Sequence, residues 1–313
     1  MPRTRAGSRP PGRDGYALVA VLWLLVLASA LAAELHAALR ADRHVTANVQ
    51  AQARARWAAR AGLARTVEAL RSRLATAAPG GTGLGVTDTL LIPVVEMDVD
   101  GVRVVATATD ARAKLNLNVA APGELRMLFA ALGWEPGRAA SLASAVARWR
   151  AAHLPPVEAA PDTTQVRLRP PPGAFAAVED LRGVPALTET EYLAAAPYLT
   201  VVSDGRINLN TAPVPVLRTL PGMDERTAAI LVERRRRTPL GTPYDAAAHL
   251  PGDAMRQAEM LVAGIVARGE FAPREADIRV VAAPPGAAVR GRIRAVAVMT
   301  GGTRLPVVQV VER

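Results

Sequence analysis

No cysteine occurs in the 313-residue sequence. Disulfide staples, thiolate nucleophiles and sulfur metal sites are excluded, and a chain this long can form two domains without staples. Lysine is nearly absent as well: Lys114 stands alone, and all the other basic residues counted with it are arginines. Aromatics make up only 4%, so the cores must be built from Leu, Val and Ala. The four histidines, His36, His44, His153 and His249, are scattered, and no HExxH, GxSxG or Walker pattern occurs. Glu96, Asp98 and Asp100 alternate along one short stretch and read as a solvated face. The expectation is a protein without catalytic residues and without a metal site. The net charge of +10 suggests an anionic partner, yet the arginines are spread through an Ala-, Gly- and Pro-rich chain and read as compositional bias.

What is present first is a long apolar run. Gly15 to Ala33 is uncharged and is preceded by Arg3, Arg5, Arg9 and Arg13. A secretory signal has an apolar core of about 7–15 residues and a small-x-small cleavage site, for which Ala28-Ser29-Ala30 would serve. This run is longer: eighteen helical residues span about 27 Å, close to a full hydrocarbon core. The leading cations put the N-terminus on the cytoplasmic side. From Ala28 to Thr76 there is no proline, Gly62 is the only glycine, and Leu31, Leu35, Leu39, Leu63, Val67, Leu70 and Leu74 recur at helical spacing. One helix that starts in a membrane and continues outside it is expected. A Gly-rich break from Pro79 to Gly85 ends it. The GTGLG inside that break lacks the strand and helix that a dinucleotide loop needs, so it reads as a linker.

Beyond it, Leu90 to Asp110 carries two β-rich runs around Asp100-Gly101, a hairpin signal. Ala276 to Arg313 holds two to four further strands. Between these β regions, residues from about 119 to 268 read mainly as helices and proline-rich loops, inserted into a small sheet that packs on the amphipathic half of the first helix. A short repeat lies in the insertion. Asn116-Leu117-Asn118-Val119-Ala120 and Asn208-Leu209-Asn210-Thr211-Ala212 each precede a proline, a short helix, a Gly turn and an Arg-ended helix. Asn and Thr are good N-caps and Pro suits a first helical turn. Either duplication or chance similarity of alanine-rich helix pairs accounts for the pattern.

The second copy, INLNTAPVPVLRTLPGMDERTAAILVERRRR, resembles a helix-hairpin-helix unit over residues 207–237, in which a turn such as Leu220-Pro221-Gly222 offers backbone N–H groups to a phosphate. Asp224 replaces the second glycine of that family's pattern. A carboxylate there repels phosphate and suits the N-cap of the next helix. Arg234 to Arg237 could meet phosphates but also fit a solvated helix C-terminus, and nucleic acid is not the expected partner.

Gly15-Tyr16, at the junction of the basic leader and the apolar run, resembles a type IV prepilin cleavage site. The leader RDGYALVAVLWLLVLA, the segment DARAKLNLN and the run VEDLRGVPALTETEYLAAAPYLTVVSDGRINLNTAPVPVLRTLPG together resemble the K-type minor pseudopilin (GspK) of the bacterial type II secretion system. The resemblance implies an α+β fold with a pilin-like long N-terminal helix packed on a small antiparallel sheet and a large, mostly α-helical domain inserted. On this reading residues 1–15 are the leader and 16–34 the transmembrane and fibre-core helix. Residues 35–110 hold the amphipathic helix and first strands, 111–271 the inserted domain, and 272–313 the closing strands. The resemblance also implies cleavage by prepilin peptidase after Gly15, a single inner-membrane span with the bulk of the chain periplasmic, I- and J-type minor pseudopilins as partners, and a place at the pseudopilus tip. Ala20, the fifth residue after the cut, lacks the glutamate that pilins usually carry there. No cofactor is expected. The family's acidic segment, which can contribute to calcium binding, is missing after Trp149, where Arg150, Ala151, Ala152 and His153 stand. Asp162, Glu179, Asp180 and Asp204 could supply some oxygen ligands but are widely spaced in sequence, so calcium is possible without being supported by the segment after Trp149. A membrane-tethered helix-hairpin-helix protein of DNA uptake and a minor pilin of a type IV pilus are the alternatives.

Overall fold

A computed structural model of the chain describes residues 14–76, 91–154, 174–248, 250, 254–286, 290–299 and 306–312. The chain divides into two units, Met1–Ala53 and Arg54–Arg313. The described part of the first is the opening stretch of helix α1, which runs Asp14–Thr76. Leu18–His36 of that helix is 19 residues long with a mean hydropathy of 2.4, long and apolar enough to cross a membrane. The linker with its GTGLG lies outside the described residues.

In the second unit, strands β1 (Val95–Val99) and β2 (Val102–Asp110) form a hairpin. Asp100 and Gly101 both have positive φ, 51° and 77°. That is the backbone a two-residue type I′ turn demands, and Asp-Gly supplies it at low cost. After the inserted segment, β7 (Glu275–Ala283), β8 (Gly291–Val298) and β9 (Val307–Glu312) complete an antiparallel sheet of order β1-β2-β7-β8-β9. Val102, Val104, Ala106 and Ala108 of β2 alternate inward with period 2 and meet Ile278, Val280, Ala282, Ile293 and Ala295. Ala58, Ala59 and Leu70 of α1 close this core. Gly62 explains itself here: a Cβ at that position would lie 2.6 Å from Val104 Cγ1 and 2.9 Å from Val280 Cγ1. Only a residue without a side chain lets the helix approach the sheet so closely.

Asp110, the last residue of β2, pairs with Ala276 near the start of β7. The chain therefore leaves and re-enters the sheet at one end, between adjacent strands. The intervening segment is built twice on one plan. The first half comprises β3 (Leu115–Asn116), α2 (Pro122–Ala131), α3 (Pro136–Ala152), α4 (Glu189–Ala195) and β4 (Leu199–Thr200), with β3 parallel to β4. The second comprises β5 (Ile207–Asn208), α5 (Val214–Leu217), α6 (Glu225–Arg235), α7 (Pro243–Ala247), α8 (Met255–Arg268) and β6 (Gly269–Glu270), with β5 parallel to β6. Both halves feed one apolar core, including Leu117, Phe129, Leu142, Leu209, Leu220 and Leu231.

Candidate functional site

The paired N-L-N segments show how the inserted domain is held. Asn116 Oδ1 accepts from Asn118 N at 2.8 Å, and Asn208 Oδ1 accepts from Asn210 N at 3.0 Å. Asn118 then bridges a distant loop through both ends of its amide, donating to Phe175 O (2.9 Å) and accepting from Phe175 N (3.0 Å). Asn210 repeats this with Leu240 O (2.9 Å) and Leu240 N (2.8 Å), and donates also to Phe271 O (2.7 Å). The arginine ending the second helix of each half returns to its own segment. Arg150 donates to Leu117 O and Ala120 O, and Arg235 donates to Leu209 O and Ala212 O. Five bonds repeated at matched positions favour duplication over chance.

One expectation is overturned. These asparagines and Thr211 do not cap the helices that follow. The N-caps are Ala121 and Pro213, neither with a side-chain cap bond, and Glu124 instead accepts from Ala121 N at 2.7 Å. The segment is a short parallel strand followed by a tight turn, and the amides are spent on the turn and on the bridge between loops. The prolines stand in the first helical turns, at Pro122 and Pro215.

The helix-hairpin-helix-like turn is present in shape. Leu220 is buried, Gly222 has φ 75°, and Asp224 caps α6 by accepting from Thr227 N at 2.7 Å. That hydrogen bond and the Thr227 hydroxyl hold the Asp224 carboxyl below its ordinary range. One side of the turn is covered from within the chain. A Cβ on Gly222 would meet Leu261 N at 2.7 Å, Gly264 lies against the Pro221 ring, and Gln257 donates to Gly222 O at 3.1 Å. Helix α8 thus packs on the Gly222 Cα and carbonyl side of the turn, while Pro221 and Asp224 stay exposed. Among the four following arginines, Arg235 is buried in the bonds above, Arg234 donates to Asp245 O, and Arg236 and Arg237 pair with Glu233.

Where the insertion joins the sheet, a charged cluster forms that the sequence did not disclose. Arg112, in a 3-10 turn at Ala111–Ala113, is 2% exposed. Its Nε meets Glu275 at 3.0 Å, Nη1 meets Glu270 at 3.4 Å and Nη2 meets Asp204 at 2.5 Å. Beside it the buried Asp110 accepts from Arg112 N (2.9 Å), Asn208 Nδ2 (2.8 Å) and Thr211 Oγ1 (2.6 Å). Burial raises the Asp110 carboxyl above its ordinary range against these bonds. The same force pushes Glu275 up to about 7, with Arg112 opposing and Asp204 and Asp110 adding to it. On β7 and β8, Arg294 makes a two-point pair with the buried Asp277, both contacts 3.0 Å.

Of the acids considered for a cation, Asp162 lies outside the described residues. Asp180 accepts from Ala176 N and Ala177 N, and Asp204 is committed to Arg112. Among the described residues no group of three or more His, Asp or Glu side chains could hold a metal ion. After Trp149 the chain is helical to Ala152, and His153 stacks on the Trp149 ring at 3.7 Å beside a cleft of about 420 Å³. Gly15, Tyr16 and Ala20 stand in the first turns of α1, and the leader before Asp14 lies outside the described residues.

Residues 103–204 match a family model described as type II secretion system (T2SS), protein K, and residues 207–267 match a second model of the same description. Together they span more than half of the sequence, and they divide at the turn between the two halves of the insertion. The chain belongs to the type II secretion system protein K family. Membership makes it a minor pseudopilin of that system, and of the readings the sequence left open this is the one the matches support. No curated relative matches the sequence. Among solved structures its fold is similar to a chain in the crystal structure of the GspK-GspI-GspJ complex from the enterotoxigenic Escherichia coli type 2 secretion system. The TM-score is 0.57 at 14% identity, over 88% of this chain and 99% of that one.

Proposed function

We propose that this K-family chain begins the pseudopilus, remains at its tip in complex with the other minor pseudopilins of I and J type, and so supports protein export across the outer membrane. The observation that carries the reading is the domain inserted between β2 and β7. A helical domain of that size on a pilin-like sheet suits the end of a helical fibre, where no further subunit has to fit. The apolar residue at Ala20 supports it. If prepilin peptidase cuts after Gly15, Tyr16 becomes the first residue and Ala20 the fifth. A carboxylate at that depth costs about 2.5–3.5 kcal/mol in a bilayer unless a neighbour's terminal amine pairs with it. A first subunit has no such neighbour, and alanine avoids the cost. The chain spans the inner membrane once, N-terminus cytoplasmic and bulk periplasmic. It acts as a structural subunit with no reaction, cofactor or calcium site of its own. The Asp224 carboxylate, which caps α6 where the helix-hairpin-helix pattern has a glycine, supports a function without nucleic acid.

The sequence makes the test direct, because a cysteine introduced at exposed Arg237 is unique. Arg237→Cys protein carrying a gold or fluorescent label should appear at one end of isolated fibres. Label distributed along the fibres would refute tip placement.

A further inference from the structure

The second face of the five-stranded sheet points away from α1. On β7 and β8 it carries Asp277, Arg279, Arg292 and Arg294, which alternate with the core residues Ile278, Val280, Ile293 and Ala295. Arg279 stands directly opposite Arg294, a like-charge pairing that by itself destabilises a sheet. Asp277 offsets part of it, with two contacts to Arg294 at 3.0 Å and one to Arg279 at 3.4 Å. Arg292 lies two residues before Arg294 on the same face. It is exposed and, among the described residues, pairs with no acid. Lys114, the only lysine of the chain, arrives from the start of the insertion, just after the 3-10 turn. It is half-buried within electrostatic reach of Asp277, Arg279 and Arg294, and among the described residues it too has no ion pair. Burial lowers its ammonium below the ordinary range; Asp277 opposes this, and the two arginines add to it. One further acid reaches the group, Glu179 toward Arg294. Four cations therefore face two carboxylates.

We propose that Lys114, Arg279, Arg292 and Arg294 bind a phosphate group, free or as a monoester. Charge decides the class. A surplus of two positive charges matches a phosphate monoester, which carries about −1.5 to −2 at pH 7, better than it matches one carboxylate. The donors suit it as well. An ammonium offers three N–H groups and a guanidinium five, and Asp277 engages only Nη2 of Arg279 and only Nε and Nη2 of Arg294. Thr107, opposite Arg279 on β2, adds a hydroxyl on the same face. A nucleic-acid strand is the wrong ligand. The patch ends at Val281 and Val311, and Glu96 and Asp98 stand on the same face at the β1 edge, so successive phosphates would meet valines and carboxylates.

The test titrates inorganic phosphate into the full-length, detergent-solubilised chain by calorimetry at constant ionic strength. Saturable binding at one site is expected, roughly tenfold weaker in Lys114→Gln and in Arg292→Gln, because each loses a charge-assisted contact. Arg292 is exposed and unpaired, so its variant reports on the site even if Lys114→Gln folds poorly. Arg292→Lys should keep most of the affinity. Arg236→Gln removes an exposed cation at the end of α6 and should leave the affinity unchanged. Vesicles of phosphatidylcholine with and without phosphatidic acid separate the two sources. Binding to the acidic vesicles through the same residues, tighter than to free phosphate, makes a headgroup the ligand; otherwise it is free phosphate. No saturable binding of either probe, or a loss in Arg236→Gln as large as in Arg292→Gln, would overturn the proposal. So would a duplex oligonucleotide that binds through these residues more tightly than both probes.

Discussion

Glu275 carries the most decisive prediction. Its carboxylate contacts Arg112 at 3.0 Å, a geometry that normally lowers a carboxyl pKa, yet it titrates near 7. The reason is burial, opposed mainly by a cation that is shared. One guanidinium serves Asp204, Glu270 and Glu275, so its charge is spent more than once, and Glu275, only 12% exposed, loses more to desolvation than it regains. An acid whose folded pKa stands above its unfolded value of 4.5 binds more protons folded than unfolded. Stability from this group is therefore full below pH 4.5 and is lost as pH rises through 7. The span corresponds to about 3 kcal/mol, or roughly 6–12 °C in melting temperature for a protein of this size. Glu275→Gln keeps the shape and an acceptor for Arg112 Nε but cannot ionise. The difference in melting temperature between variant and wild type isolates this one group from every other titration. It should be near zero below pH 4.5, grow in the variant's favour as the pH rises from 4.5 to 7, and level off by pH 8. Thermal unfolding of the intact, detergent-solubilised protein followed by circular dichroism measures it. A variant less stable than wild type at pH 8, or a difference independent of pH, would mean that the Arg112 pair outweighs burial and would refute the argument.

Three further outcomes follow from the packing. Arg112→Met leaves Asp204, Glu270 and Glu275 facing one another without their cation and should cost about 3–5 kcal/mol, read from chemical denaturation at pH 8 and relieved as the pH is lowered. Gly62→Val should destabilise by about 1–3 kcal/mol or more through overpacking against Val104 and Val280, even though valine improves on glycine's helix propensity. Gly62→Ala should recover only part of that loss in the same assay. Asn210→Asp exchanges an amide N–H₂ that serves Leu240 O and Phe271 O for a carboxylate oxygen facing both. It should cost about 2–3 kcal/mol, more than Asn118→Asp, which loses a single such bond to Phe175 O.

The elements legible in the sequence are those fixed by local chemistry. Asp100-Gly101 demands two positive φ values in succession, and the flanking β-branched runs leave the chain little else to form than a hairpin. The long proline-free stretch after Asp14 could only be helix, and Asp224 followed by a helix-forming run announced a cap. Gly62 was visible as the lone glycine between Ala28 and Thr76, but what it makes room for was not, because Val104 and Val280 lie far away in sequence. The asparagines were misread for the same reason. An Asn before a helix is usually its cap, and nothing local reveals that Phe175 and Leu240 lie within reach of the two side-chain amides. The cluster around Arg112 is the extreme case. Its members come from the end of β2, the turn before β5, strand β6 and the start of β7, and no spacing rule joins them. The one available signal was compositional: Asp110, Arg112 and Lys114 alternate charge at the end of a strand whose preceding inward positions are all apolar.

That cluster also ties the inserted domain to the sheet by more than the chain itself. Two covalent crossings, after Asp110 and before Glu275, would by themselves act as a double hinge. Arg112 ties both crossings to the turn at Asp204 and to β6 at Glu270, while Asp110 holds the second half directly through Asn208 and Thr211. The second N-L-N segment therefore has a duty the first lacks. Asn116 donates its amide to Ser203 O within the insertion, whereas its counterpart Asn208 donates to the sheet's own Asp110. Duplication supplied two equivalent asparagines, and one became the anchor. Such asymmetry follows from topology, since the second half alone re-enters the sheet and only its first strand lies beside Asp110. The joint is thus made of ion pairs to Arg112 and hydrogen bonds to Asp110, and the burial that holds Glu275 up to about 7 makes one member of it sensitive to pH.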